Sequence, residues 1–229
     1  MKFIIDKRIF DQMPDLNIGV LVVWNLDNTK NLDLAKSYEK VKKTIQAKFR
    51  GIELAEYPLI HGWREIYKSF GEKKARSSVE ALIRRILNDK DIPSINPLVD
   101  IYNLISLKHE LPCGGEDLDK LSGDLELTFA TGDEKFLPLC ETETESPNPG
   151  EVIYKSGDVV VCRNFNYRES DLTKLTDKTK NVVLVFENLE NDKEKLTEAL
   201  KDLENIIISN LGGASEAYTL DRNNSEIEI

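Results

Sequence analysis

The run "NIGVLVVWNL", residues 17 to 26, limits the fold more than any other stretch of this chain. Its positions are almost all apolar, and Asp15 on one side and "DNTK" on the other end it abruptly. That pattern reads as a buried strand, so a sheet begins early and the rest of the chain must cover it. "NVVLVFENL", far downstream, has the same character.

Helical periodicity surrounds these runs. Leu34, Tyr38, Val41, Ile45 and Phe49 recur every three or four residues and Gly51 follows, which predicts an amphipathic helix packed on the sheet. Trp63, Ile66, Tyr67 and Phe70 share a face in "LIHGWREIYKSFG". "RSSVEALIRRILND" starts with Ser77 three residues before Glu80, the capping-box spacing. In "NPLVDIYNLISLKHE", Asn96 is placed to cap a helix, Pro97 fits its first turn, and Asp100 faces the N-terminal dipole. Asn103 in the same helix either packs within the core or faces a pocket.

"LPCGGEDLDKLSG" reads as a turn, with Gly114 and Gly115 there for positive φ or close backbone approach, or for ligand contact. "DLELTFA", "EKFLPL" and "EVIYKSGDVVVCRNFNY" read as strands, "CETETESPNPGE" as an acidic loop, and residues 192 to 207 as a final helix ahead of a strand at "EAYTL". Helices flank clusters of strands without βαβ alternation, which predicts an α+β fold over a doubly wound sheet. The 229 residues, 40% of them hydrophobic, are expected to form one domain over 1–229.

Several chemistries are disfavoured. Three cysteines far apart and two histidines support neither a disulfide framework nor a metal site, so no metal or cofactor is expected. The start "MKFIIDKRIFDQMPD" interrupts any signal-peptide core with acids and a proline, and no apolar run is long enough to span a bilayer, so a cytoplasmic protein without a membrane partner is expected. A net charge of −10 opposes broad phosphate binding, which leaves DNA binding unexpected and confines any RNA contact to a local patch. The candidate patch is "KSFGEKKARSSVEALIRR", with Lys73, Lys74 and Arg76 at its centre; the plain alternative is a solvated helix face. Arg163, Asn166, Arg168 and Glu169 form a polar group just after "GDVVVC", either a binding loop or a salt-bridge network. His61 beside Trp63 reads as a partly buried aromatic site, and Trp24 as strand-end packing.

"NPLVDIYNLISLKHELPCGGEDLDKLSG" and "CRNFNYRESDLTKLTDKTKNVVLVFE" together resemble the B3/B4 domain, the editing module in the beta subunit of phenylalanyl-tRNA synthetase. The likeness runs from about residue 60 to 190 through Pro97, Val99, Asp100, Asn103, Pro112 and the run Asp117 to Leu121, and is greatest to freestanding B3/B4 proteins. It implies a B3/B4-type arrangement of mixed or antiparallel sheets flanked by helices, binding the aminoacylated 3′ end of tRNA and hydrolysing mischarged aminoacyl-tRNA in trans. It also implies pocket residues Asn103, Gly114, Gly115, Arg163, Asn166 and Arg168; if the ester is hydrolysed by an oriented water, Glu169, Thr173 and Lys174 are the polar groups expected to position it. The chain departs from the family where a histidine is expected two residues after Pro112, since Gly114 stands there. It also lacks the glycines of the family's Gly-Gly-Glu segment. A module that keeps the fold but binds a free amino acid or a protein without catalysis is the alternative.

Overall fold

The computed structural model describes residues 1–229 and is α+β. In chain order the elements are β1 (Lys2–Ile5), α1 (Ile9–Gln12), β2 (Asn17–Trp24), α2 (Ala35–Lys48), α3 (Pro58–Ser69), α4 (Ser78–Leu87) and α5 (Pro97–His109). Then follow β3 (Cys113–Asp117), β4 (Leu125–Phe129), β5 (Val152–Ser156), β6 (Val159–Arg163), β7 (Arg168–Glu169), β8 (Val182–Asn188), α6 (Lys193–Leu211), β9 (Ala214–Leu220) and β10 (Glu226–Glu228). One sheet is antiparallel in the order β3-β8-β2-β9; the other is mixed, β10-β1-β4-β5-β6-β7, with β1 and β4 parallel.

The two apolar runs are the central strands β2 and β8, paired along their full length. Every residue of β8 is buried because both of its faces are covered. Val183 and Val185 point into the core shared with the six-stranded sheet, and Val182, Leu184 and Phe186 into the core under α5 and α6. The four-stranded sheet is thus a middle layer. No helix is long and apolar enough to cross a membrane.

Local signals set the helix ends. Ser77 Oγ accepts the backbone N–H of Glu80 at 3.4 Å, and Asn96 Oδ1 accepts that of Val99 at 3.0 Å. Half of the capping box is absent, because the Glu80 carboxylate turns away from the cap into a cluster of arginines. Asp100 accepts from Ser94 Oγ and Ile95 N at 2.5 and 2.9 Å, which ties down the loop before α5 and leaves it outside any pocket wall near the sheets.

Two expectations need correction. "CGGED" is a strand, β3, paired with the edge of β8, and neither Gly114 nor Gly115 has a positive φ. "EKFLPL" is held only by single bridges, Lys135 to Val159, Phe136 to Glu145 and Pro138 to Ser170, since Pro138 and the acidic segment after it prevent a continuous ladder. That acidic loop is pinned to β6: Arg163 binds both Glu145 and Glu151.

Candidate functional site: a carboxyl-lined cavity between the sheets

Alternation along β3 and β8 turns Gly114, Glu116, Val185 and Glu187 toward the six-stranded sheet. Tyr154 of β5, Val161 and Cys162 of β6 and Glu169 of β7 face them and enclose a cavity of about 30 Å³. Phe165 and Asn166, from the β6–β7 turn, complete its wall. Asn164 and Phe165 both take left-handed φ values of 50° and 65°, unusual for an aromatic residue. Packing offsets that strain: the Phe165 ring lies edge-on to Trp63 with centroids 5.2 Å apart and edge-on to Tyr154 at 6.0 Å.

Three carboxyl groups face this space and no lysine, arginine or histidine does. Burial pushes Glu187 up to about 8, even though Tyr154 Oη and Asn166 Nδ2 donate to it at 3.0 and 2.9 Å. Burial, and then the neighbouring Glu169 charge, push Glu116 well above the ordinary carboxyl range. Burial also raises Glu169, countered by donation from Glu116 and from the Cys162 thiol. Burial thus biases both members of the pair toward the protonated form, Glu116 the more strongly because the Glu169 charge adds to its shift. Asn166 is fixed from outside, its Oδ1 accepting Tyr67 Oη at 2.7 Å and Ser78 N at 3.3 Å.

Gly114, Gly115, Asn166 and Glu169 meet at the cavity. A Cβ on Gly114 would lie 3.1 Å from Glu169 Oε1, so a histidine there would compete for the space that the Glu169 carboxyl fills. At Gly115 a Cβ would sit 2.4 Å from Leu184 Cδ2 and 3.2 Å from the Val183 carbonyl. Gly115→Ala is expected to cost about 1–3 kcal/mol through overpacking, read as a lower denaturant midpoint with an unchanged slope.

Other predicted residues lie elsewhere. Thr173 is buried beside Glu116, and its hydroxyl lacks a hydrogen-bond partner of good geometry. Lys174 is directed outward, its Nζ 2.6 Å from Asp171. Arg163 and Arg168 stack on Phe136 and bind Glu145 at 2.5 Å each, a network apart from the cavity. Asn103 is half-buried and outside the cavity lining. Its neighbour Tyr102 instead buries its hydroxyl near Glu169, Cys113 and Glu116, and burial with those charges pushes it well above its ordinary pKa. Lys73, Lys74 and Arg76 lie together in the α3–α4 connection, with Lys73 and Lys74 exposed.

Sequence reasoning missed Glu116, Glu187, Tyr154 and Cys162. Glu187 carried a usable signal: it is two residues beyond Val185 and four beyond Val183 in a strand, so the period of two puts its carboxyl on their buried face.

No curated protein matches this chain. Among solved structures, it is similar to an N-terminal fragment of the phenylalanyl-tRNA synthetase beta-subunit from Pyrococcus horikoshii, at 17% identity and a TM-score of 0.45. The match covers 92% of this chain and 49% of the other, so the chain spans about half the length of that fragment. The family model of the B3/4 domain matches residues 62–198, a stretch that runs from α3 into α6 and contributes every residue of the cavity wall. The chain therefore belongs to the B3/4 domain family.

Proposed function

We propose that the cavity receives the aminoacyl group at the 3′ end of a charged tRNA and that the protein hydrolyses the ester when the amino acid is the wrong one. The observation that carries this reading is the set of three inward carboxyl groups with no cation among them. An aminoacyl ester brings an ammonium group, which supplies the missing positive charge. Leu125, Val161, Phe165 and Val185 offer an apolar wall to its side chain. A buried carboxyl also discriminates a ligand hydroxyl from its absence, since an unmatched polar group costs more than a lost apolar contact.

Hydrolysis needs a water at the ester carbonyl carbon, cleavage of the bond to the ribose oxygen, and a proton for that oxygen. Glu169 orients the water and takes its proton as the new C–O bond forms, and Glu116, biased toward its protonated form, gives a proton to the ribose oxygen as its bond to the carbonyl carbon breaks. Thr173, with its free hydroxyl beside Glu116, is a positioning residue. Lys174, engaged by Asp171, takes no part in this scheme. The cavity, of about 30 Å³, has room for one or two waters and not for an aminoacyl group, so loading requires a wall to part. β7 is the segment suited to yield, being joined to the sheet by two residue pairs only.

Single-turnover deacylation of a panel of correctly and wrongly charged tRNAs tests this. One class of amino acid is expected to be released, and Glu169→Gln is expected to slow release about 100-fold or more. Release at the uncatalysed rate across the whole panel would reject the hydrolase.

One observation favours a second reading, a pocket for a free amino acid or similar small cation: no basic residue lines the cavity to meet an RNA phosphate. Salt separates the two. RNA affinity falls steeply as salt rises, and small-ligand affinity does not.

A further inference from the structure

A separate concavity of about 210 Å³ lies along α3 and the loop into α4. His61, Arg64, Lys68, Lys73 and Arg76 line it against one acid, Glu56. His61, Arg64 and Lys68 follow at three- and four-residue steps, so one stripe of α3 presents all three, beside the stripe that buries Ile60, Trp63 and Tyr67.

The arginines are preset. Glu80, fully buried on α4, accepts from Arg64 Nη2 at 2.6 Å and Nε at 3.2 Å and from Arg84 Nε at 2.9 Å, and lies 3.3 Å from Arg76 Nε. Arg76 Nη1 also donates to the Lys74 carbonyl at 2.7 Å. One carboxylate cannot neutralise three guanidinium groups. Arg64 keeps Nη1 free and Arg76 keeps Nη2 free, while each side chain is already fixed in orientation. Lys68 pairs with Glu65 at the rim, and Lys73 has no acidic partner. Glu53 and Glu56 near Arg64 temper the local field without occupying these donors.

The geometry points to a phosphate-binding site in which Glu80 holds Arg64 and Arg76 ready for a tetrahedral oxyanion, with Lys73 and His61 closing around it. Guanidinium groups held in place bind phosphate through paired, directed hydrogen bonds, and presetting them removes the ordering cost at the moment of binding. On a chain of net charge −10 such a site is a local exception to a surface that repels anions. The inference stands apart from ester hydrolysis in the sheet cavity. Its ligand is a phosphate group, either in an RNA backbone or in a free phosphate ester.

Titration of the full chain with inorganic phosphate, followed through the arginine Nε–H resonances, tests it. Arg64 and Arg76 are expected to shift and saturate while Arg163 does not, and Lys73→Gln with Arg76→Gln to weaken binding about tenfold or more. Equal shifts from sodium chloride at matched ionic strength, or an affinity unaltered in the double variant, would overturn the site. A single-stranded RNA that competes with phosphate and binds more tightly identifies the backbone as the source. Competition by a small phosphate ester but not by RNA identifies the free compound. Because neither variant touches the sheet cavity, deacylation can fail while this site holds, and the reverse.

Discussion

Arg163→Ala is expected to destabilise the protein by about 3–5 kcal/mol, because it strands a buried carboxylate. Glu151 is 3% exposed and receives Arg163 Nε and Nη2 at 2.7 and 2.6 Å, a two-pronged contact that no other side chain can replace. Arg163 Nη1 also holds Glu145, so the acidic loop loses its anchor together with the strand. Chemical denaturation reads the effect as a lower midpoint. Arg163→Lys keeps the charge but loses the fork, and is expected to fall between the alanine variant and the native protein. Replacing Arg163 and Glu151 together with apolar residues of similar volume is expected to recover most of the loss, since the buried charge leaves with its partner. A ligand-binding arginine would behave differently, with unchanged stability and weakened affinity.

The second large effect concerns pH. Glu187 rests at about 8 in the native protein against an ordinary value of 4.5, so between those limits the native state holds a proton that the unfolded chain releases. Stability is then greatest at the acidic end of the window and declines as pH rises toward 8. Glu116 and Glu169 are shifted the same way by burial and add to the decline. The carboxylates stabilised in charged form, such as Asp6 at about 2, act in the opposite sense but only below the window. Melting temperature is expected to fall by about 10 °C from pH 5 to pH 8. Glu187→Gln, close in shape to the protonated acid, is expected to remove its share of that slope, leaving the part due to Glu116 and Glu169, and to raise the melting point at pH 8. A melting temperature that holds level or climbs across the window in the native protein would refute the assignment.

The fold was legible where one physical signal dominated. Apolar runs predicted β2 and β8, and Ser77 and Asn96 marked helix starts that the capping bonds bear out. β3 was not legible, because a Gly-Gly pair after a proline looks like a turn. What makes it a strand is the long-range ladder to β8, together with the lack of room at Gly115 for any side chain. The cavity was half legible. Asn166 and Glu169 stood out as polar residues just after an apolar strand and Gly114 and Gly115 as a glycine pair, whereas Glu116 and Glu187 sit in strands where an acid looks like an exposed end. Asn103 pointed to the correct helix but the wrong stripe. α5 buries seven of its thirteen residues, so its apolar pattern does not fix its rotation, and the adjacent Tyr102 is the residue near the carboxyl groups.

The pairing of β2 also governs how this chain has to be made. Both faces of β2 become core, yet its hydrogen-bonding partners are β8 and β9, near the opposite end of the sequence. During synthesis an apolar, β-prone ribbon therefore emerges well ahead of its partners and remains without a ladder until β8 and β9 have followed. The parallel contact of β1 with β4 and its antiparallel contact with β10 delay the six-stranded sheet in the same way. Expression yield should accordingly depend on what shields the nascent β2 segment as well as on the stability of the finished fold.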